Sequence, residues 1–186
     1  MRIVEVSEFY SPTGGGVRSY VDRKFAAAAV AGHELFVIAP SPHDGFEPRA
    51  SGGVVHVRAP LLPVDPNYRM FWDAAPVHAQ LDALKPDLVE TSSPWRGAWI
   101  VADWPASTPK AMFVHAEPVA VYPQRWLAGF ATRARIDRLF GWFWAYLRRL
   151  AARFDTLVAG AWLAARLEGQ GIGPMANVPL GVDRSA

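Results

Sequence analysis

Arg2-Ile3-Val4-Glu5-Val6-Ser7-Glu8, then Phe9-Tyr10-Ser11-Pro12-Thr13-Gly14-Gly15-Gly16, then Val17-Arg18-Ser19-Tyr20-Val21 is the stretch on which the fold turns. A short β-type run comes first, then a glycine loop, then a helical pattern. Val17, Tyr20, Val21, Phe25, Ala28 and Ala29 recur at three- and four-residue spacing, which predicts a helix from Val17 to about Ala31. Gly32 stands where a helix-ending glycine belongs. Strand, turn and helix in this order make the first half of a βαβ unit, the building block of a parallel sheet.

The alternation continues outward from there. Leu35–Ala39 reads as a second strand, apolar enough for burial on both faces. Further strands are expected over Val54–Arg58, Asp87–Thr91, Ala111–His115, Thr156–Ala159 and Val178–Leu180. Pro40–Gly53 and Pro60–Pro66 read as loops, because proline, glycine and charge dominate them. Helices are expected over about Met70–Leu84, Gly97–Asp103, Arg133–Arg153 and Trp162–Gln170, with a break near Gly129. The fold class is therefore α/β: a Rossmann-like, doubly wound, mostly parallel sheet of six to seven strands. Ligands of such sheets sit outside the carboxyl ends of the strands. Gly14–Gly16, Thr91–Arg96, His115–Glu117 and Gly160 all fall at that edge.

Composition narrows the function. At 186 residues, 51% of them hydrophobic, the chain is long enough for one ordinary domain with a buried core. It has no cysteine, which removes disulfides, thiolate nucleophiles and cysteine-held metals. A net charge of +2 is too small to imply nucleic-acid binding. The start carries Glu5 inside its apolar run, unlike a signal peptide. The longest strongly apolar stretch, Phe140–Leu147, falls far short of the roughly 20 residues a membrane-spanning helix needs. These readings are compatible with a cytoplasmic protein, which is the expectation.

Three consecutive glycines leave the backbone bare next to the unpaired N–H groups of a helix start, where an anion or a sugar hydroxyl can approach. Arg18 adds a charge one turn in; the same glycines also read simply as a flexible loop. The loop is neither G-x-G-x-x-G nor a P-loop, which weakens a nicotinamide or NTPase reading. His115 ends an apolar strand, where its imidazole can bond a hydroxyl or serve a structural role. Trp95 and Arg96 suit a ligand bearing sugar or phosphate, and they also read as a core cap and a solvated arginine. Tyr68 and Arg125 are further candidates of the same kind. None of the other histidines (His33, His43, His56 and His78) forms a metal-ligand spacing.

"SEFYSPTGGGVRSYV", the strand ending in "FVHAEP" and the closing "VPLGVD" together resemble the N-terminal domain of family 4 glycosyltransferases. The resemblance runs across essentially the whole chain. It implies one half of a GT-B architecture, residues 1–180, with 181–186 opening the connection to a C-terminal domain that binds the nucleotide sugar. It also implies transfer of sugar with retention to a glycan, lipid-linked or small-molecule acceptor, without a metal or other cofactor, and a fragment inactive alone. On the same basis Gly15, Gly16 and Arg18 face the donor's diphosphate and sugar, and His115 stands at the reaction centre. Glu117 either binds an acceptor hydroxyl or pairs with a loop cation.

From Arg125 to Arg153 seven arginines face the single acid Asp137. Ile136, Leu139, Phe140, Phe143, Leu147, Leu150 and Phe154 form one apolar stripe, with Trp142 and Trp144 near its opposite margins. The pattern fits core packing with a solvated arginine face, an anionic membrane surface at the inner face of the membrane, or a partner surface. Two rivals to the transferase remain: a single-domain nicotinamide or nucleotide-sugar enzyme, and a non-catalytic carbohydrate- or lipid-binding Rossmann-like module.

Overall fold

The computed structural model describes residues 1–11, 16–63, 65–117, 127 and 129–178. The chain divides into two compact units, Met1–Met112 and Phe113–Ala186.

The first unit is built on a sheet in the order β8-β7-β1-β2-β4-β3. Its strands are β1 (Arg2–Val6), β2 (Glu34–Ser41), β3 (Gly45–Arg49), β4 (Gly52–Arg58), β7 (Leu88–Thr91) and the start of β8 (Lys110–Val114). All neighbours are parallel except β3, which runs antiparallel along β4. The strand β1 lies between β2 and β7, so successive crossovers leave it in opposite directions. That is the topological switch point of a doubly wound sheet.

The helices cover both faces. Helix α1 (Gly16–Val30) buries Val21, Phe25 and Ala28 in one cluster with Leu35, Val37, Ala39 and Val54. Ile3 packs against this cluster, so α1 covers the face of β1 that carries the odd-numbered residues. Helix α3 (Arg96–Asp103) meets the other face, where its Gly97 lies closest to the Val6 side chain. Between them in sequence come a small hairpin, β5 (Leu61–Leu62) with β6 (Asp65–Arg69), and helix α2 (Ala75–Leu84).

An ionic cluster sits under α1. Glu5 of β1 and Glu90 of β7 are register partners, so their side chains share a face of the sheet. Lys24 of α1 reaches between them and donates to both carboxylates at 2.7 Å. Burial works against the lysine's charge, yet the two carboxylates and Tyr20 more than offset it and leave its pKa above the usual lysine value. Glu90 is itself pushed up by burial, against the pull of Lys24.

In the second unit β9 (Thr156–Ala159) and β10 (Met175–Asn177) pair in parallel, joined through α6 (Ala161–Glu168). Two further helices, α4 (Arg133–Leu139) and α5 (Gly141–Ala151), precede them. Arg166 of α6 is the hub here. It forms a fork on both oxygens of Glu117 at 3.2 Å, bonds Asp137 at 2.7 Å and lies 5.2 Å from the centre of the Trp144 ring.

Five expectations are corrected. Pro40–Gly53 is not all loop, because β3 forms there as an edge strand, a place where Pro48 is tolerated. Pro60–Pro66 contributes β5 and the start of β6. The expected helix from Met70 begins at Ala75, where the Asp73 carboxylate accepts the Ala75 N–H at 3.0 Å. The single helix over Arg133–Arg153 is two, meeting at Phe140, and the break leaves Leu139 exposed and off the buried stripe. Trp142 and Trp144 consequently differ sharply, at 66% and 2% exposure. The last strand is Met175–Asn177 rather than Val178–Leu180; Leu180 lies outside the described residues, as do 181–186.

Removing the lysine would leave two carboxylates facing each other under a helix. We expect Lys24→Ala to lower unfolding stability by about 3–5 kcal/mol, read as a shift of the urea midpoint at neutral pH; a loss under 1 kcal/mol would contradict the role given to this cluster.

Candidate functional site

In the first unit the switch point lies between β1 and β7, and polar residues crowd its carboxyl edge. The chain leaves β1 as Ser7-Glu8 and leaves β7 as Ser92-Ser93-Pro94, and the Ser7 and Ser92 hydroxyls stand 3.0 Å apart. Glu8, at 2% exposure, accepts the Gly97 N–H of α3 at 3.2 Å. An acid at a helix start is favoured by the dipole. Burial nevertheless raises the Glu8 pKa to about 7, against the lowering influence of the Gly97 N–H, the Arg96 charge and the Phe71 and Arg96 backbone groups.

The sequence candidates at this edge are placed as follows. Trp95 is the residue before α3 and is half-buried. Arg96 opens α3 and donates to the Trp72 carbonyl at 3.1 Å. Tyr68 sits edge-on to Phe9, with 5.5 Å between ring centres. Gly16 is the first residue of α1, and a methyl group placed on it would meet nothing within 4 Å. Arg18 is exposed one turn along, 3.8 Å from Asp22. Gly15 and Arg125 lie outside the described residues.

In the second unit β8 ends at Val114 and delivers His115, whose ring stacks on Phe113 at 4.3 Å. A pocket of about 370 Å³ opens beside it. Its walls are His115, Ala116 and Glu117 on one side and Gly160, Ala161, Trp162 and Leu163 at the start of α6 on the other. Gly160 precedes α6 in an extended conformation and no side chain caps the helix. Of the two readings of Glu117, pairing with a cation is the arrangement seen, since Arg166 occupies both its oxygens. Among the described residues no three acidic or histidine side chains gather as a metal site would. No helix among them is long and apolar enough to cross a membrane.

Sequence reasoning passed over two residues of these sites. Glu8 was absorbed into the first strand, although an acid directly before a glycine loop was a usable signal. Trp162 was read only as a helix start, although it stands two residues after Gly160, which the strand-edge argument had already marked.

A mostly parallel α/β sheet with a polar edge at its switch point, and a pocket beside the imidazole at the end of β8, are the sites such sheets offer to ligands. Residues 14–186 match the model of Glycosyltransferase Family 4, and the chain belongs to that family. Over 94 residues it is 37% identical to the GDP-mannose-dependent alpha-(1-6)-phosphatidylinositol dimannoside mannosyltransferase of two Mycobacterium tuberculosis strains, ATCC 25177 / H37Ra and CDC 1551 / Oshkosh. The match covers 50% of this chain and 24% of each mycobacterial protein, so the chain spans about a quarter of these relatives. Among solved structures, an alpha-glucosyltransferase with UDP and a mismatched 13-mer DNA aligns with 86% of this chain and 37% of its own, at 11% identity and a TM-score of 0.48. The same type of enzyme with UDP alone aligns over 86% and 35%, with the same identity and TM-score.

A carboxyl whose folded pKa lies above its unfolded value binds its proton more tightly in the native state. Its stabilising contribution is therefore full below about pH 4.5 and is lost as pH rises to about 7. We expect Glu8→Gln to flatten this dependence, removing up to about 3 kcal/mol of stability change between pH 4.5 and 7.5. Urea titrations of both proteins across that range test it; parallel pH profiles would refute the assignment.

Proposed function

We propose that this chain is the acceptor-side half of a two-domain GT-B glycosyltransferase that moves a sugar from a nucleotide sugar to a glycan, lipid-linked or small-molecule acceptor with retention. The observation that carries the reading is the family match over residues 14–186, joined to an imidazole at the end of β8 beside a pocket of sugar-binding size. The nucleotide would be held by a C-terminal domain of the same enzyme, so residues 1–186 by themselves would not turn over. The 37% identity to mannosyltransferases described as GDP-mannose-dependent makes GDP-mannose the first donor to try.

In this reading the departing diphosphate takes the acceptor's proton on the face it leaves, so the protein supplies position and electrostatics rather than a strong base, and no metal. His115 orients the transferred sugar. Gly15, Gly16 and Arg18 face the donor's phosphates, while Trp95, Arg96, Tyr68 and Arg125 are the acceptor-side candidates; Glu117 is held by Arg166 instead.

The full-length enzyme, given GDP-mannose and a phosphatidylinositol mannoside, is expected to yield an α-linked product in the presence of a chelator. Anomeric proton NMR reads the configuration. His115→Ala is expected to lower kcat about 10²-fold with its circular dichroism unchanged. Sugar binding without turnover of any nucleotide sugar would favour the non-catalytic module instead, and an inverted product would sink the retaining mechanism.

An anionic membrane belongs to the same proposal, at the inner face and from the cytoplasm. Phe130, Leu139 and Trp142 are exposed, and exposed Arg133, Arg135 and Arg138 lie among them. Such a surface buries aromatics at the headgroup level while its arginines meet lipid phosphates. Vesicles containing 30% phosphatidylglycerol should co-sediment the protein about tenfold better than neutral ones, and Arg133→Glu with Arg135→Glu should abolish the difference. Equal sedimentation with both vesicle types would remove the membrane from the reading.

A further inference from the structure

Trp162 lies in the first turn of α6, whose packing does not need it. Leu163, Ala164 and Leu167 are the buried residues that hold the helix in place. Trp162 is instead 69% exposed while lining the pocket beside His115. A large aromatic surface left in water at the wall of a cavity has a cost that packing does not explain, and a flat ligand face laid on it would recover that cost.

The pocket chemistry selects the ligand. Ala116, Ala161 and Leu163 give it apolar walls, and among the described residues no lysine or arginine lines it. Its one carboxylate, Glu117, is engaged by Arg166. The other polar groups among the described lining residues are the His115 imidazole and the backbone N–H groups at the start of α6, which no side chain caps. A free phosphate would meet no lining counter-charge among the described residues. A neutral ring with an apolar C–H face on one side and hydroxyls around its edge meets every feature.

We infer that Trp162 is the stacking platform for a hexopyranose ring seated between α6 and the end of β8, with the ring's C–H face on the indole and its hydroxyls towards His115 and the α6 start. The inference rests on the transferase reading for its choice of sugar as ligand. The ring belongs either to the donor or to the acceptor, and the chemistry of the platform is the same for both. Trp162 is then a specificity-determining residue: it selects a ring over an open-chain polyol.

Binding of methyl α-D-mannopyranoside and methyl α-D-glucopyranoside to the full-length protein, followed by saturation-transfer NMR, tests this without turnover. Mannitol is the open-chain control. Ring protons of the glycosides should saturate and mannitol should not. Trp162→Ala should weaken glycoside binding about two- to tenfold, and Trp162→Phe should recover most of it. Because Trp162 is exposed, both variants should keep the wild-type circular dichroism. Absence of ring saturation in the wild type, equal saturation by mannitol, or unchanged binding in Trp162→Ala would each overturn the inference.

Kinetics then distinguish the sources. A KM raised for GDP-mannose alone assigns the ring to the donor, and one raised for the mannoside acceptor alone assigns it to the acceptor. An active enzyme with both KM values unchanged in Trp162→Ala would overturn the platform. A protein that binds glycosides through Trp162 yet transfers no sugar would overturn the transferase reading and leave the platform standing.

Discussion

The first unit depends on one positive charge held between two negative ones. β1 and β7 bring Glu5 and Glu90 side by side because parallel pairing in register puts them on one face. Left alone, two carboxylates in a desolvated site repel each other, and one would have to take up a proton. Lys24 resolves the conflict with a bond to each, and the direction of its pKa shift says that the pair of acids outweighs the cost of burying the ammonium. The bonds are also directional. An apolar patch lets a helix slide along a sheet, whereas two 2.7 Å contacts to two different strands set the azimuth and height of α1, and with it the exit of the chain from the glycine loop.

The acid at the switch point belongs to the same geometry seen from the opposite face. Glu8 leaves the carboxyl end of β1 and meets the first turn of α3, so one side chain ties the central strand to the helix covering its other face. Its burial and its helix-dipole contact pull in opposite directions, and burial wins. The fold encloses this carboxyl almost completely, and that burial raises its pKa to about 7. In the second unit Arg166 plays the corresponding part with the signs reversed, one cation gathering Glu117 and Asp137 beneath the face of Trp144.

Much of this fold could be read from residues, and the losses have identifiable causes. The strands β1, β2, β4, β7, β8 and β9 announce themselves because buried parallel strands are nearly continuous apolar runs, and Thr156–Ala159 matches residue for residue. The edge strand β3 sends no such signal: Gly45-Phe46-Glu47-Pro48-Arg49 is mostly in water, so nothing selects apolar residues there. β10 was displaced for a related reason, since Ala176 and Asn177 are exposed and the apolar Val178 drew the reading past the ladder. The division at Phe140 escaped because an apolar stripe extrapolates smoothly through a break that a local conformation, not periodicity, creates. At the sites, residue types at strand ends marked His115, Trp95 and Arg96. What Glu8 does depends on Gly97, 89 residues away, and the exposure of Trp162 depends on which side of α6 its neighbours bury. Neither is a property of local spacing.

The outer margin of the sheet has a consequence for how molecules of this chain meet one another. β3 is only five residues long, carries Glu47 and Arg49, and includes Pro48, which has no N–H to offer an incoming strand. A growing stack of sheets needs a flat border with a regular row of donors and acceptors, and this border interrupts the row and charges what remains. The residue that hid the strand from a reader of the sequence thus also makes the strand a poor seed for self-assembly.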